Sequence, residues 1–591
     1  MSDCVSSSAR WLGRVAAVAI VVAIAQPAFA KPHSRKLDRA LARIADSGGQ
    51  QTRVIVRFKP GQEGVVADTL RRSKASLLYR HTSISALTMD IDAGDLDSLA
   101  GLDGVESVSY DAPVDALATT PTAPNTDGDG LRDAVGVANP GVSGRGIGVA
   151  VIDSGISPLP EFGRRITAFY DFTRGGIATR ASDDYGHGTH VAGLIAGGLP
   201  GGFDDAVGVA SGVSLIGLKV LDSQGRGTTS NVINAIEFAI ANKTALGINI
   251  INLSLGHVPY ESATSDPLVK AVDKASAAGI IVVVAAGNMG INPATGGPGY
   301  GGILSPGNAR SAITVGAEHT MGTATRNDDI VGAYSSRGPT WYDGYAKPDV
   351  VAPGHRLLAP VQTTSQLLLA NPSLKVVTGR TGPTYISLTG TSMSAAVVSG
   401  TVALMLDANQ GAFYTHRTLT PNAIKAMLQF SAIPLRDPSG ILYDQMTQGT
   451  GSLNGDGAMK LARAVNPSAP AGSYWLTMGV APVSTIANLA YPWAQNIIWG
   501  ENIVWGDTVY QNVPAWATNV VWGENVVWGE NLVWGDNIIW GENIVWSTNI
   551  VWSTNVVWGE NVVWGENVVW GENVVWGENV VWGESAVDSI R

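Results

Sequence analysis

Between about residues 146 and 466, four short aliphatic runs recur: Ile147–Ile152, Val213–Val220, Ile248–Leu253 and Ile280–Ala286. None alternates apolar with polar residues, so a strand made from any of them has two faces to bury. Helical periodicity fills gaps between them at Ser230–Asn242 and Asp266–Ala278. Strand–helix alternation of this kind predicts an α/β domain with a doubly wound parallel sheet. Chemistry in such a sheet belongs at the carboxyl ends of its strands.

Three segments fall in that position. Val149-Ala-Val-Ile-Asp-Ser-Gly closes a buried run on Asp153. Asp183-Asp-Tyr-Gly-His-Gly-Thr-His-Val-Ala-Gly carries His187 and His190, two of only eight histidines. Leu388-Thr-Gly-Thr-Ser-Met-Ser-Ala-Ala sets Ser392 after a glycine at the head of a small-residue helix. Two histidines three apart could hold a metal, but that needs a third ligand and a catalytic Glu, and no HExxH arrangement is present. A carboxylate, an imidazole and a hydroxyl can instead make a nucleophilic relay. Singly, an Asp at a strand end can be a turn residue and a Ser opening a helix can be a cap.

Taken together the segments resemble those of the subtilases, the subtilisin-like serine proteases. Ile152-Asp-Ser-Gly, His187-Gly-Thr-His-Val-Ala-Gly and Gly390-Thr-Ser-Met-Ser match the Asp, His and Ser motifs in that order. Lys219-Val-Leu, Ile251-Asn-Leu-Ser-Leu-Gly, Ala285-Ala-Gly-Asn and Lys347-Pro-Asp-Val-Val-Ala-Pro-Gly match supporting segments. The resemblance implies Ser392 as nucleophile, His187 as general base, Asp153 as its orienting carboxylate and Asn288 as an oxyanion donor, with His190 a packing residue. It also implies two substrate-binding edges, Ser254-Leu255-Gly256 and Gly225-Arg-Gly227. Protein or peptide substrates follow, with no cofactor needed for chemistry and structural calcium as an accessory. Thr389 stands where the family often has Asn, and Ser394 where Ala is usual, so altered loop hydrogen bonding with retained activity is expected.

The flanks give the chain its domain plan. Arg10 and Arg14, the apolar run Val15–Ala25 and Ala28-Phe-Ala have the layout of a signal peptide over 1–30, too short in its apolar part to span a bilayer. A secreted, extracellular or periplasmic protein is expected, with its only cysteine, Cys4, removed with the leader. The basic residues 31–50 read as flexible. Over 51–115 the pattern is a small α+β unit, with strands at Thr52–Phe58, Ala86–Ile91 and Val105–Tyr110 and a helix at Gly61–Ser73. This unit resembles the inhibitory propeptide of subtilases, so 31–118 is expected to be the chain's own inhibitor. The catalytic domain follows over 119–470, opening on a Pro- and Thr-rich linker, Ala118–Asn125, in which cleavage is expected. Asn125-Thr-Asp-Gly-Asp-Gly-Leu-Arg-Asp spaces oxygen ligands as a calcium loop does, but its twelfth position is Gly136 and not a bidentate Glu. A net charge of −11 argues against nucleic acid or anionic membrane as a partner.

After a linker over 471–495, residues 496–591 are Trp-rich. From Asn519 to Glu584 the hexad Asn-Val-Val-Trp-Gly-Glu recurs eleven times in phase, with Ser-Thr for Gly-Glu at 547–548 and 553–554. A helix would turn each successive Trp by about 120° and bury none of them together. Short strands and turns suit the composition better, and three hexads make one 18-residue coil of a β-solenoid. Such a module could bind a surface or self-associate. That possibility defines the rival reading of the whole chain, a catalytically inactive scaffold that binds surfaces through its Trp repeats.

Overall fold

The structure, a computed structural model, describes residues 33–47, 51–64, 75–118, 130–198, 208–377, 384–414, 419–468, 476–499 and 502–505, with two-residue strands recurring from 526 to 581. The expected leader, the helix beyond residue 64, the cleavage linker beyond Ala118 and the start of the acidic turn lie outside these residues.

Four antiparallel strands make the N-terminal sheet, β1 (Gln51–Phe58), β2 (Ser76–His81), β3 (Ala86–Asp92) and β4 (Val105–Tyr110), in the order β2-β3-β1-β4. Strand β2 was not expected, since its residues are mostly exposed and carry no alternating pattern. The expectation of flexibility before residue 51 is corrected over Arg39–Ser47, which is helical. Leu37, Leu41, Ile44 and Ala45 pack at helical spacing against the sheet, and Asp38 accepts the Leu41 N–H at 2.7 Å as a cap. The unit is tied to the rest of the chain by polar contacts. Asp111 accepts both the N–H and the hydroxyl of Ser230 at 2.7 Å, serving the first turn of the Thr229–Ala241 helix from outside. Glu237 on the same helix accepts the Ser83 N–H at 2.7 Å. Beyond β4 the chain runs out as β5 (Pro113–Ala116).

The four buried runs foreseen above supply four of the nine strands of the central sheet, and the other five were not expected. The sheet contains β6 (Gly148–Asp153), β7 (Ile166–Asp171), β8 (Ile177–Ala178), β9 (Ser214–Lys219), β11 (Ile248–Leu253), β13 (Ile281–Ala285), β14 (Ile313–His319), β15 (Ile330–Val331) and β16 (Val350–Pro353). The order is β15-β14-β13-β11-β6-β9-β7-β8, with β16 beside β14. All its pairings are parallel except those of β15 and β8, so the expected all-parallel sheet carries two short antiparallel strands. Along β6, Val149 and Val151 join the core on one face while Ala150 and Ile152 join the core on the other. The first face is covered by His187–Ala196 and Thr391–Phe413, the second by Thr229–Ala241 and Pro267–Ala277. The 23-residue Thr391–Phe413 helix is apolar enough to cross a membrane, yet it is a core helix, 94% buried over its most apolar window. Two more short strands, β10 (Arg226–Thr228) and β12 (Leu255–Gly256), leave the carboxyl ends of the sheet.

The linker expected over 471–495 is corrected from residue 476 on. Val483–Ile486 and Leu489–Pro492 form a hairpin, and Trp493 is buried in the core on the first face of the central sheet with its indole N–H on Ser484 Oγ at 2.9 Å. The Tyr491 hydroxyl accepts the Arg326 N–H at 3.0 Å. This segment is an integral edge of the domain because its aromatic residues have apolar seats there, Trp493 standing edge-on to Phe430. The first loose repeats, Asn496–Trp499 and Asn502–Trp505, pair antiparallel as a second hairpin, with Ile497 in the core. Further on, residues eighteen apart pair in parallel: Val526 with Ile544, Ile544 with Val562 and Val562 with Val580 in one sheet. Leu532, Ile550 and Val568 make a second sheet and Ile538, Val556 and Val574 a third.

Candidate active site

Strand β6 delivers Asp153 to the carboxyl edge of the sheet, fully buried. The helix beginning at His187 brings its imidazole there, with Nδ1 at 2.8 and 3.0 Å from the two Asp153 oxygens. That contact sets the tautomer, leaving Nε2 as the basic nitrogen. Gly188 makes the approach possible, because a Cβ there would stand 2.1 Å from the Gly155 carbonyl and 3.1 Å from Asp153 Cβ. Sequence reasoning missed Asp183, which binds the two loops together. Its carboxylate accepts the Ser154 hydroxyl at 2.9 Å, the Gly186 N–H at 2.8 Å, and the Thr189 N–H and hydroxyl at 2.8 and 2.6 Å. Burial pushes its pKa up, and these four donors oppose the shift. The only signal was its place four residues before His187, where helix caps and turn residues are common.

Ser392 enters from the first turn of Thr391–Phe413, also fully buried. Its hydroxyl donates to the Ser254 carbonyl at 3.0 Å, and His187 Nε2 has no partner. The two side chains are therefore not hydrogen-bonded to each other in this arrangement. Asn288 lies beside Ser392, its Oδ1 accepting the Thr391 N–H at 3.0 Å and the Thr391 hydroxyl at 3.1 Å, which aims Nδ2 outward.

Nδ2 of Asn288 is occupied by the chain's own N-terminal unit. β5 lies between β10 and β12 as the middle of a three-stranded antiparallel sheet. Asp115 faces Arg226 and Val114 faces Gly227 on one side, while Ala116 faces Leu255 and Asp115 faces Gly256 on the other. The Gly225 carbonyl accepts the Ala116 N–H at 3.1 Å and the Ser254 carbonyl accepts the Leu117 N–H at 3.2 Å. Asn288 Nδ2 then donates to the Leu117 carbonyl at 2.9 Å. Gly390, against which Ala118 rests, has no room for a Cβ: the Leu117 oxygen would be 2.5 Å away. All nine residues named from the sequence thus converge on one groove.

His190 goes elsewhere. Its Nε2 lies 3.1 Å from both the Leu357 and Ile386 carbonyls, so the ring is a neutral donor between two strands. Burial, and then the neighbouring His187, hold its pKa down to about 3. His190→Ala should lower unfolding stability by about 2–4 kcal/mol in denaturant melts, while folded protein still cleaves peptide. Loss of turnover with unchanged stability would contradict that packing role. Among the described residues no three His, Cys, Asp or Glu side chains gather to hold a metal, so calcium is assigned no position here.

Residues 144–458 match the Subtilase family. The serine protease AprX of Bacillus subtilis is 33% identical over 417 residues, 69% of this chain and 87% of that protein. An alkaline protease of Shouchella clausii is 32% identical over 333 residues, 56% of this chain and 72% of its own. Among solved structures, fervidolysin from Fervidobacterium pennivorans, a keratinolytic enzyme related to subtilisin, superimposes with a TM-score of 0.54 at 23% identity. That match covers 70% of this chain and 62% of fervidolysin, and it speaks for the fold alone. Family match, relatives and fold agree, and the chain belongs to the subtilases, as a serine-type endopeptidase.

Proposed function

We propose that the chain is an exported precursor that cuts itself between Leu117 and Ala118, and then hydrolyses other polypeptides through Asp153, His187 and Ser392. The observation that carries this reading is the Leu117 peptide. Its N–H is on Ser254, its carbonyl on Asn288 Nδ2 at 2.9 Å, and Ala118 abuts the loop that presents Ser392. A bond held in this way is oriented for attack before any chemistry begins.

In the mechanism, the Ser392 hydroxyl turns from the Ser254 carbonyl to the free Nε2 of His187, which takes its proton as Oγ adds to the Leu117 carbonyl carbon. Asp153, at 2.8 Å from Nδ1, stabilises the imidazolium that results. Negative charge on the former Leu117 carbonyl oxygen is met by Asn288 Nδ2 and the Ser392 backbone N–H. The imidazolium then gives its proton to the Ala118 nitrogen, and the C–N bond breaks. Water, deprotonated by the same imidazole, releases the acyl group from Ser392.

The substrate class follows from what β5 buries. Val114 is fully buried and Leu117 is 9% exposed, while Asp115 between them is paired only through its backbone and Ala116 is half-buried. Extended peptides with apolar residues first and fourth before the cut should be preferred, with affinity supplied by the two strand edges. Export rests on the leader-like residues 1–30, and the inhibitory role of the 31–118 unit on the seat of its Pro113–Ala116 strand in the groove. N-terminal sequencing of the processed protein tests the reading directly. Ala118 should be the first residue, and a start well beyond the 118–125 stretch would mean that the groove holds an inhibitor that is not the first substrate.

A further inference from the structure

A chain of buried side chains runs behind the nucleophile. Ser399 lies seven residues after Ser392, two turns along the same helix, and its hydroxyl donates to Asn252 Oδ1 at 2.9 Å. Asn252 Nδ2 donates to Ser254 Oγ at 2.9 Å, and Ser254 Oγ donates to the Ser392 carbonyl at 3.0 Å. The circuit closes through the Ser254 carbonyl, which accepts Ser392 Oγ at 3.0 Å and the Leu117 N–H at 3.2 Å. Asn252, Ser254, Ser392 and Ser399 are all 0% exposed.

A hydroxyl inside a helix ordinarily bonds back to the carbonyl four residues earlier, as Thr401 does with Val397 at 3.0 Å. Ser399 leaves that position and reaches across to β11. With all four side chains shut off from solvent, each donor fixes the orientation of the next acceptor. The last link fixes the Ser254 peptide, whose carbonyl grips the substrate, relative to the backbone of Ser392.

We propose that Ser399 and Asn252 are positioning residues that set the distance between the nucleophile and the bound peptide through the side chain of Ser254. This rests on Ser392 being the nucleophile. Misplacement by a fraction of an ångström slows attack while leaving the strand-like grip on substrate intact, so the effect falls on kcat and spares KM.

The test uses the processed enzyme and a chromogenic peptide ending in Val-Asp-Ala-Leu before the leaving group. Ser399→Ala should lower kcat about tenfold with KM changed less than twofold, and Ser399→Thr, which restores a hydroxyl, should recover most of the rate. In a Ser254→Ala background, Ser399→Ala should cause no further loss of kcat, because the link it acts through is gone. A fall in thermal midpoint alone with kcat intact would overturn the proposal, as would a tenfold loss that persists in the Ser254→Ala background. If Ser399→Ala does not fold, Asn252→Asp read in the same way carries the test, by removing the donor to Ser254 Oγ. Ser392→Ala serves as the control: turnover surviving there would refute the nucleophile itself, an outcome distinct from any result at Ser399.

Discussion

Ser392→Ala leaves the Leu117–Ala118 bond uncut and lowers peptide hydrolysis about 10⁶-fold, the loss expected when a relay of this type is deprived of its nucleophile. The substitution removes one oxygen from a fully buried site and disturbs little else. Asn288 is still aligned by Thr391, and the two edges that hold β5 do not involve the Ser392 side chain. The variant should therefore accumulate as a single chain with Pro113–Ala116 seated between the two edges of the groove. Mass spectrometry of the purified protein reads the first outcome and turnover of a peptide added in trans reads the second. Normal processing in the variant, by its own activity at low concentration, would exclude Ser392 from the chemistry. His187→Ala should give a similar loss, and the double substitution little more, because the two groups act as a unit.

Once the bond is cut, the grip of the N-terminal unit on the enzyme should weaken as pH rises from about 4 to about 8. At the junction, Asp38 of the N-terminal unit faces Glu261 and Asp266 of the catalytic domain around one cleft, which Tyr110, Thr229, His257 and Tyr260 also line. Two arginines lie near it: Arg57 is paired with Glu106 at 3.1 Å and reaches the Ser265 carbonyl at 3.4 Å, and the charge of Arg43 opposes the burial-driven rise at Tyr260. Burial raises the Asp38 carboxyl to about 6, the Asp266 charge adding to the shift. Burial and then the Asp266 charge raise Glu261 to about 8. The joined state thus holds protons that the separated pieces release. Its stability is complete below the ordinary carboxylate range and is lost as pH passes 6 for Asp38 and 8 for Glu261. Affinity falls by at most about tenfold per pH unit for each group that titrates. The lag before peptide cleavage begins should shorten between pH 5 and pH 8, and Glu261→Gln should lengthen it at pH 8 and flatten the profile. A profile unchanged by that substitution would place the pH response elsewhere.

Four strands of the central sheet were legible because they are apolar on both faces, whereas the other five, among them the part-exposed β7 and the two-residue β8 and β15, were not. Predicted runs and observed strands differ by only a residue or so, as between Ile147–Ile152 and Gly148–Asp153. The groove residues were legible through motif resemblance, since nothing in the spacing of residues 153, 187 and 392 brings them together. What escaped depended on partners distant in the chain. The bond from Asn288 to Leu117 spans 171 positions, and no local pattern marks Pro113–Ala116 as the strand that fills the groove. Asp183 looked like one more acidic turn residue until its four donors were in place. Residues 476–495 passed for a linker because their apolar side chains follow no sustained helical or strand period, and the seat beside Phe430 explains why Trp493 is buried. The helix at Arg39–Ser47 was hidden by its basic residues, which lie outside the face formed by Leu37, Leu41 and Ile44.

The eighteen-residue pairing of the repeats has a genetic corollary. From Val526 on, successive strands fall to three sheets in turn, so the strand at Val526 finds its neighbour at Ile544, three hexads on. Gain or loss of single repeat units would lengthen or shorten the array by six residues at a time. One unit gained between Leu532 and Ile550 would pass Ile550 and every later strand to the adjacent sheet, out of register with Leu532. Three units gained or lost return every hexad to its former side. Natural length variants of this array should therefore cluster at multiples of eighteen residues, a spacing that alignment of alleles would reveal without any knowledge of the fold.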